Sequence, residues 1–284
     1  MESFWLILAI KGVMIGSIYA LISLGFNVIY RTTGVLNFAQ GEFLMIGSLA
    51  AASVHGKGGV GMGTALLLGV GAAGLTGALV DRLAIRPVRH SPPVVLVIVT
   101  IGVSLVLRAA ASLIWGTDPY HLPPMSEGHV TAGGVQIEAQ SFWILGVAVA
   151  CMAGLALFFQ RTALGRAMRA CAENPEAAGL CGIDRGAMSL LAFGLSAVLA
   201  GISGILLTPL LSMSYDRGTM LGLKGFASAV LGGLGHPVAG VAGGLILGML
   251  EQFGAWFSSA HKEILALSVV IVLLLCRPQG IFAR

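Results

Sequence analysis

Charge is scarce in this sequence. Asp, Glu, Lys and Arg make up only 10% of its 284 residues, against roughly 25% in a soluble globular domain. That is too little to coat a water-facing surface, which excludes an ordinary soluble fold. Cysteine is sparse as well. Cys151, Cys171, Cys181 and Cys276 form no C-x-x-C and no ligand spacing, so neither a disulfide framework nor a zinc site is indicated. No G-x-x-x-x-G-K-[ST] occurs, and no connecting loop is long enough for an ATP site, so this chain should not hydrolyse nucleotide by itself. The net charge of +4 is divided among separate loops instead of forming one basic patch. That distribution argues against nucleic acid and suits a membrane protein with its basic loops inside.

What is abundant is apolar and small. Hydrophobic residues make up 57% of the chain and the mean hydropathy is +0.94. Glycine, at 41 residues, is about twice its usual share of roughly 7%. There is no G-X-Y period, so collagen is excluded, and small residues are what let membrane helices pack closely. A spanning helix needs about 20 apolar residues. On that criterion the spans are 4–30, 36–54, 63–80, 93–115, 141–160, 187–212 and 237–257, with shorter stretches at 222–234 and 264–276. The expected fold is all-α and integral to the membrane: a single transmembrane domain over 1–284 with eight to nine transmembrane segments, one of them short and interrupted by glycines. The first apolar run has no basic segment before it, its first cation being Lys11. It therefore reads as a membrane helix and not as a cleaved leader.

Arginine sets the orientation. Arg82, Arg86 and Arg89 share one loop, Arg161, Arg166, Arg169 and Arg185 a second, and Arg277 and Arg284 the tail. All fall on the cytoplasmic side if 222–234 crosses the membrane. Loop 116–140 has no Lys or Arg but carries Asp118, Glu127 and Glu138, so it faces outward. Lys262 and Arg277 bracket the last span and can snorkel to the two interfaces.

Polar residues inside such a chain are costly and informative. "TTGVLNFAQGEF" brings Asn37, Gln40 and Glu42 together at the cytoplasmic entry of the second span. Two readings stay open. They line a translocation path, or Asn37 caps a helix and Glu42 meets its dipole. Asn37, Gln40 and Gly41 share one face if the segment is helical. Lys11, Arg108 and Glu251 are further ionisable residues in or near spans. Arg108 suits snorkelling outward, and Glu251 lies deeper. A glycine-punctuated, Phe-containing segment, "GLKGFASAVLGGLGHPVAG", echoes the Asn37 region in the second half. Paired segments of that kind point to a site at a repeat interface.

The loop Arg161–Met188, "RTALGRAMRACAENPEAAGLCGIDRGAM", reads as helix, break, helix. Pro175 disfavours helix at Asn174 and opens the second helix, while Gly179 and Gly182 keep that helix slim. Such order fits either a docking knob for a cytoplasmic partner or a solvated basic loop.

At this loop a resemblance becomes specific. "GRAMRACAENPEAAGLCGID" resembles the cytoplasmic coupling segment of permeases from bacterial branched-chain amino acid ABC importers of the Liv type. "TGVLNFAQGEFLMIG" resembles that family's "NFAHGE" element, with Gln40 in place of the usual His. "GLKGFASAVLGGLGHPVAGVAGGLILGMLE" and the tail "RPQGIFAR" resemble its later elements, and the H-type subunit is the nearer match. The resemblance implies a multi-pass subunit in the bacterial inner (plasma) membrane that imports a branched-chain or other small amino acid. It implies a second permease subunit and two cytoplasmic ABC ATPases that hold the ATP and magnesium, this chain binding no cofactor itself. It also implies an external or periplasmic solute-binding protein. By the family pattern, Arg169, Ala172, Glu173, Asn174, Pro175, Ala178, Gly179 and Gly182 belong to the ATPase dock. Asn37, Phe38, Gln40, Gly41 and Glu42, with Lys224 and Phe226, shape the substrate pathway. An ABC permease for urea or short amides, or a passive channel for a small neutral solute, remain the alternatives. A channel has no use for an ATPase dock.

Overall fold

The computed structural model describes residues 2–126, 128–132, 135–257, 262–277 and 279–282. Glu127, Pro278 and Arg284 lie outside the described residues, as does the side chain of Lys262. The described residues are mostly helical. Among the described residues, six helices are long and apolar enough to cross a membrane: Ile7–Thr33, Met62–Val88, Pro93–Trp115, Ala139–Arg161, Arg185–Leu207 and Pro237–Trp256.

In chain order the elements are α1 (Glu2–Thr33), α2 (Gln40–Gly58) and α3 (Met62–Val80). α3 continues through a π-turn, Asp81–Ile85, into the short α4 (Arg86–Val88), and α5 (Pro93–Trp115) follows. An antiparallel hairpin of β1 (His129–Ala132) and β2 (Val135–Glu138) interrupts the otherwise helical chain, pairing His129 with Glu138. Then come α6 (Ala139–Arg161), α7 (Ala163–Glu173), α8 (Pro175–Leu180) and α9 (Arg185–Leu207). α10 (Arg217–Gly232), α11 (Pro237–Phe257) and α12 (Lys262–Cys276) complete the chain. The second span starts at Gln40 and not at residue 36, because 37–39 form a turn. The glycine-rich stretch expected to be interrupted is one continuous helix, α10.

Burial sorts the helices. α1 and α9 form the centre, their spans 67% enclosed, whereas the α6 span is only 17% enclosed. An apolar helix surface left outward, as at Leu113 and Val149, suits lipid or a partner helix. Glycine sets the closest approach. Gly12 and Gly16 of α1 face Gly244 and Gly248 of α11, two G-x-x-x-G pairs. A Cβ on Gly16 would lie 2.8 Å from the Leu245 Cα, which is the small-residue packing that draws membrane helices together.

The two ends of the bundle differ in charge. At one end Arg86 and Arg89 of the α3–α5 turn line the same cavity as Thr32 and Arg185, and Arg31 shares another with Arg169. The tail returns to this end, where the Ile281 and Phe282 amides donate to the last carbonyls of α10. At the other end Tyr120 and Met213 exchange backbone bonds of 2.8 Å, and Lys57 donates to the Tyr120 hydroxyl at 2.6 Å. Asp118 and Glu138 are exposed there. The Arg-rich end is the cytoplasmic one by the positive-inside rule.

Candidate functional site

Between α1 and α2 the chain makes a turn that Gly34 permits with φ 71°. Asn37 Oδ1 accepts from the Ala39 amide at 3.1 Å, an Asx turn leading into the helix. Ala39, at the N-cap position, supplies no side-chain bond. Asn37 therefore shapes the approach to α2 and neither caps the helix nor shares a helical face with Gln40. Its Nδ2 is buried without a hydrogen-bond partner.

Gln40 and Glu42 are both fully buried and turn to different neighbours. Gln40 Oε1 accepts from Ser196 Oγ at 2.7 Å, and its Nε2 donates to the Ser196 carbonyl at 3.2 Å. Glu42 Oε1 accepts from Ser104 of α5 at 2.9 Å and Thr219 of α10 at 2.8 Å. Glu42 Oε2 has no hydrogen-bond partner, and neither does the buried Arg108 Nε. Arg108 is half-buried, and its charge acts on both Glu42 and the exposed Asp216 at the outer end. Outside the spans, the Ser214 hydroxyl donates to Asp216 and holds its carboxyl below the usual range.

Gly41 lets the two echoed segments touch. A Cβ on Gly222 would lie 2.9 Å from the Gly41 Cα, and one on Gly218 would lie 2.6 Å from the Gly41 carbonyl oxygen. α2 and α10 therefore meet backbone to backbone. Beside that contact Phe38 stands 5.3 Å from Phe226, which stands 5.7 Å from the buried Phe26, measured between ring centres. Phe38 and Phe226 are half-buried, so they are the predicted pathway residues that reach the surface of the subunit. Asn37, Gln40, Gly41 and Glu42 lie behind them.

A second polar centre lies toward the outer end. Lys224 Nζ bonds Glu251 at 3.0 Å and Glu263 at 2.8 Å. The Tyr19 hydroxyl donates to the other Glu251 oxygen at 2.6 Å, and the ammonium lies 5.7 Å from the Tyr19 ring centre. A cavity of about 540 Å³ borders this group and is also lined by Lys11, Glu138 and Arg217. Removing one member of such a buried pair strands the other charge. Tyr19 and Glu263 carry no local signal for this role in the sequence.

The cytoplasmic loop is built by three side-chain caps. Thr162 Oγ1 accepts from the Gly165 amide at 2.9 Å and opens α7. Asn174 Oδ1 accepts from the Glu176 and Ala177 amides, both at 3.0 Å, and opens α8. Asp184 accepts from the Gly186 amide at 2.7 Å and opens α9. α8 ends in a Schellman closure: Gly182 bonds back to Gly179 and Ile183 to Ala178, with Gly182 at φ 82°. Gly165, Met168 and Cys171 bury one face of α7, and that burial raises the Cys171 thiol pKa. Ala178 is buried, and Arg169 and Ala172 face the bundle at a cavity wall. Glu173, Asn174, Pro175, Gly179 and Gly182 stand outward. With them stands Leu180, 91% exposed, which the sequence reading missed. An isolated leucine on a short capped helix was the available signal.

Comparisons with known proteins meet at this architecture. The family description "branched-chain amino acid transport system / permease component" matches residues 8–276. The high-affinity branched-chain amino acid transport system permease protein BraD of Pseudomonas aeruginosa is 35% identical, over 97% of this chain and 94% of its own length. LivH of Escherichia coli K12, carrying the same description, is 35% identical over 96% and 94%. A probable LivH of Methanocaldococcus jannaschii is 28% identical over 95% and 90%.

Proposed function

The chain belongs to the family of branched-chain amino acid transport system permease components, and from that premise we propose that it is the membrane subunit of a binding-protein-dependent ABC importer for branched-chain amino acids. It carries no chemistry of its own. Partner ATPases hold and hydrolyse ATP with magnesium, a second permease completes the path, and an external or periplasmic binding protein delivers the amino acid.

Nine helices cross the membrane in this reading: α1, α2, α3, α5, α6, α9, α10, α11 and α12. The amino terminus lies outside and the tail inside. α10 and α12 have 16 and 15 residues, about 24 and 22 Å of helix, less than the roughly 30 Å of hydrocarbon. Protein covers much of α10, which lets so short a helix cross.

The observation that carries the reading is the α7–α8 loop on the Arg-rich end, capped at every helix start and presenting Leu180. A passive channel needs no such knob. Leu180 enters an apolar pocket of the ATPase, with Glu173, Asn174, Pro175, Gly179 and Gly182 around it. Arg169, Ala172 and Ala178 support the loop from behind. ATP-driven closure of the ATPases moves α7 and α8, and the two permeases rock between outward-open and inward-open states. Phe38 and Phe226 face the aliphatic side chain of the cargo, while Asn37, Gln40, Gly41 and Glu42 hold the wall and Lys224 anchors α10.

The test is coexpression with a second permease, ATPases and binding protein, followed by uptake of radiolabelled leucine into proteoliposomes. ATP-dependent uptake that needs all four kinds of component supports the reading. Uptake without the ATPases overturns it in favour of a channel. Uptake of urea or short amides with no uptake of leucine, isoleucine or valine overturns the substrate assignment.

A further inference from the structure

A cavity of about 430 Å³ lies beneath α7, between the cytoplasmic ends of α1, α6 and α11. Its wall is apolar, formed by Leu24, Val28, Leu155, Phe159 and Val241. Two arginines, Arg31 and Arg169, also line it, and among the described residues no carboxylate does. Arg31 is exposed. Arg169 Nε is buried and has no hydrogen-bond partner. A buried, unpartnered group on a charged side chain is expensive and calls for an acceptor.

The geometry points to an anionic phospholipid of the cytoplasmic leaflet, bound with its phosphate between Arg31 and Arg169 and the start of an acyl chain along the apolar wall. Three features agree on that occupant. Two arginines with no opposing carboxylate match a phosphodiester, and basic pockets between helices on the cytoplasmic side recognise such headgroups. The wall runs down α1 from Arg31 to Leu24, about 10 Å of helix, so it continues into the acyl region below the headgroups. Arg31 also sits at the end of the span Ile7–Thr33, at headgroup level. A free phosphate would satisfy the arginines but leave the apolar wall facing water. The neighbouring cavity near Arg86, Arg89 and Arg185 differs, because Asp81 and Asp184 line it too and oppose its charge.

The lipid thereby becomes part of the support of α7. Ala172 lines the same cavity, two residues before Asn174, so the bound molecule sits under the helix that leads to the exposed loop.

Native mass spectrometry of the purified full-length chain, titrated with phosphatidylglycerol or phosphatidylcholine of matched acyl chains, tests this. Wild type should retain phosphatidylglycerol about tenfold better than phosphatidylcholine, two arginines each contributing a few-fold near the membrane surface. Arg31→Gln, a change at an exposed position, and Arg169→Gln should each cut that preference a few-fold, and the two together should abolish it. Ala156→Trp, which fills the wall and keeps both arginines, should lower retention of both lipids. Should Arg169→Gln fail to fold, the Arg31→Gln and Ala156→Trp results decide. Equal retention of the two lipids by wild type overturns the proposal, as does retention untouched by Arg31→Gln and Ala156→Trp. Inorganic phosphate at millimolar concentration should not displace the lipid. Displacement would overturn the lipid assignment in favour of a soluble anion.

Discussion

Gln40 and Ser196 hold each other through two hydrogen bonds, the serine hydroxyl giving to the Gln40 carbonyl oxygen and the Gln40 amide giving to the serine backbone. The pair joins the first turn of α2 to the middle of α9, 156 residues later. Both residues are fully buried. Gln40→Ala should therefore act through stability, costing about 2 kcal/mol from a stranded serine and a small cavity. Thermal unfolding in detergent should show the drop, while uptake per folded molecule stays near wild type. Unchanged stability with lost uptake would instead assign Gln40 to the path.

Lys224 supports a separate expectation. Its ammonium sits between Glu251 and Glu263, so Lys224→Met leaves carboxylates without their cation. A loss of about 3–5 kcal/mol is expected. Adding Glu251→Gln should recover part of it, giving a coupling of about 1–3 kcal/mol in a double-mutant cycle. Additive losses would mean that the pair contributes no mutual stabilisation.

Leu180 and Ala178 separate docking from folding. Leu180 is 91% exposed and Ala178 is 4% exposed. Leu180→Asp should leave the melting temperature unchanged and weaken ATPase copurification by about 2 kcal/mol or more, roughly thirtyfold. Ala178→Asp should destabilise the loop itself by burying a charge. ATPase binding by Leu180→Asp at wild-type strength would remove Leu180 from the interface.

Gly182 closes α8 with φ 82°. Gly182→Val forces a β-branched residue into the left-handed region, at a local cost of about 1–2 kcal/mol. Hydrogen exchange should quicken at the Gly182 and Ile183 amides, which bond back to Gly179 and Ala178. ATP hydrolysis and uptake should uncouple, with little change in global unfolding. Unaltered exchange at those two amides would show that the closure tolerates the side chain.

Much of the architecture was legible because membrane physics writes it into local composition. Apolar length marked the long spans, and arginine placement marked the cytoplasmic end. The Asn174–Pro175 pair and Gly182 marked the break and closure of the docking loop, since capping and backbone freedom act within a few residues. Boundaries were less legible. The chain turns at 37–39 before α2 begins, and the glycines of α10 serve close packing, Gly218 and Gly222 against Gly41, Gly225 against Ile22 and Gly232 against Ala239, and not interruption.

What the sequence determined by itself was therefore a helical membrane protein with a structured cytoplasmic knob, because hydropathy, charge asymmetry and caps are short-range properties. Only the tertiary structure decided where the polar side chains point. Asn37 turns into its own loop, Gln40 into α9 and Glu42 toward α5 and α10, although the three lie within six residues. Lys224 finds Glu251 and Glu263 from 27 and 39 residues away. Such pairings depend on which helices stand side by side. Here that is set by backbone contacts between glycines on distant segments, and no local pattern records them.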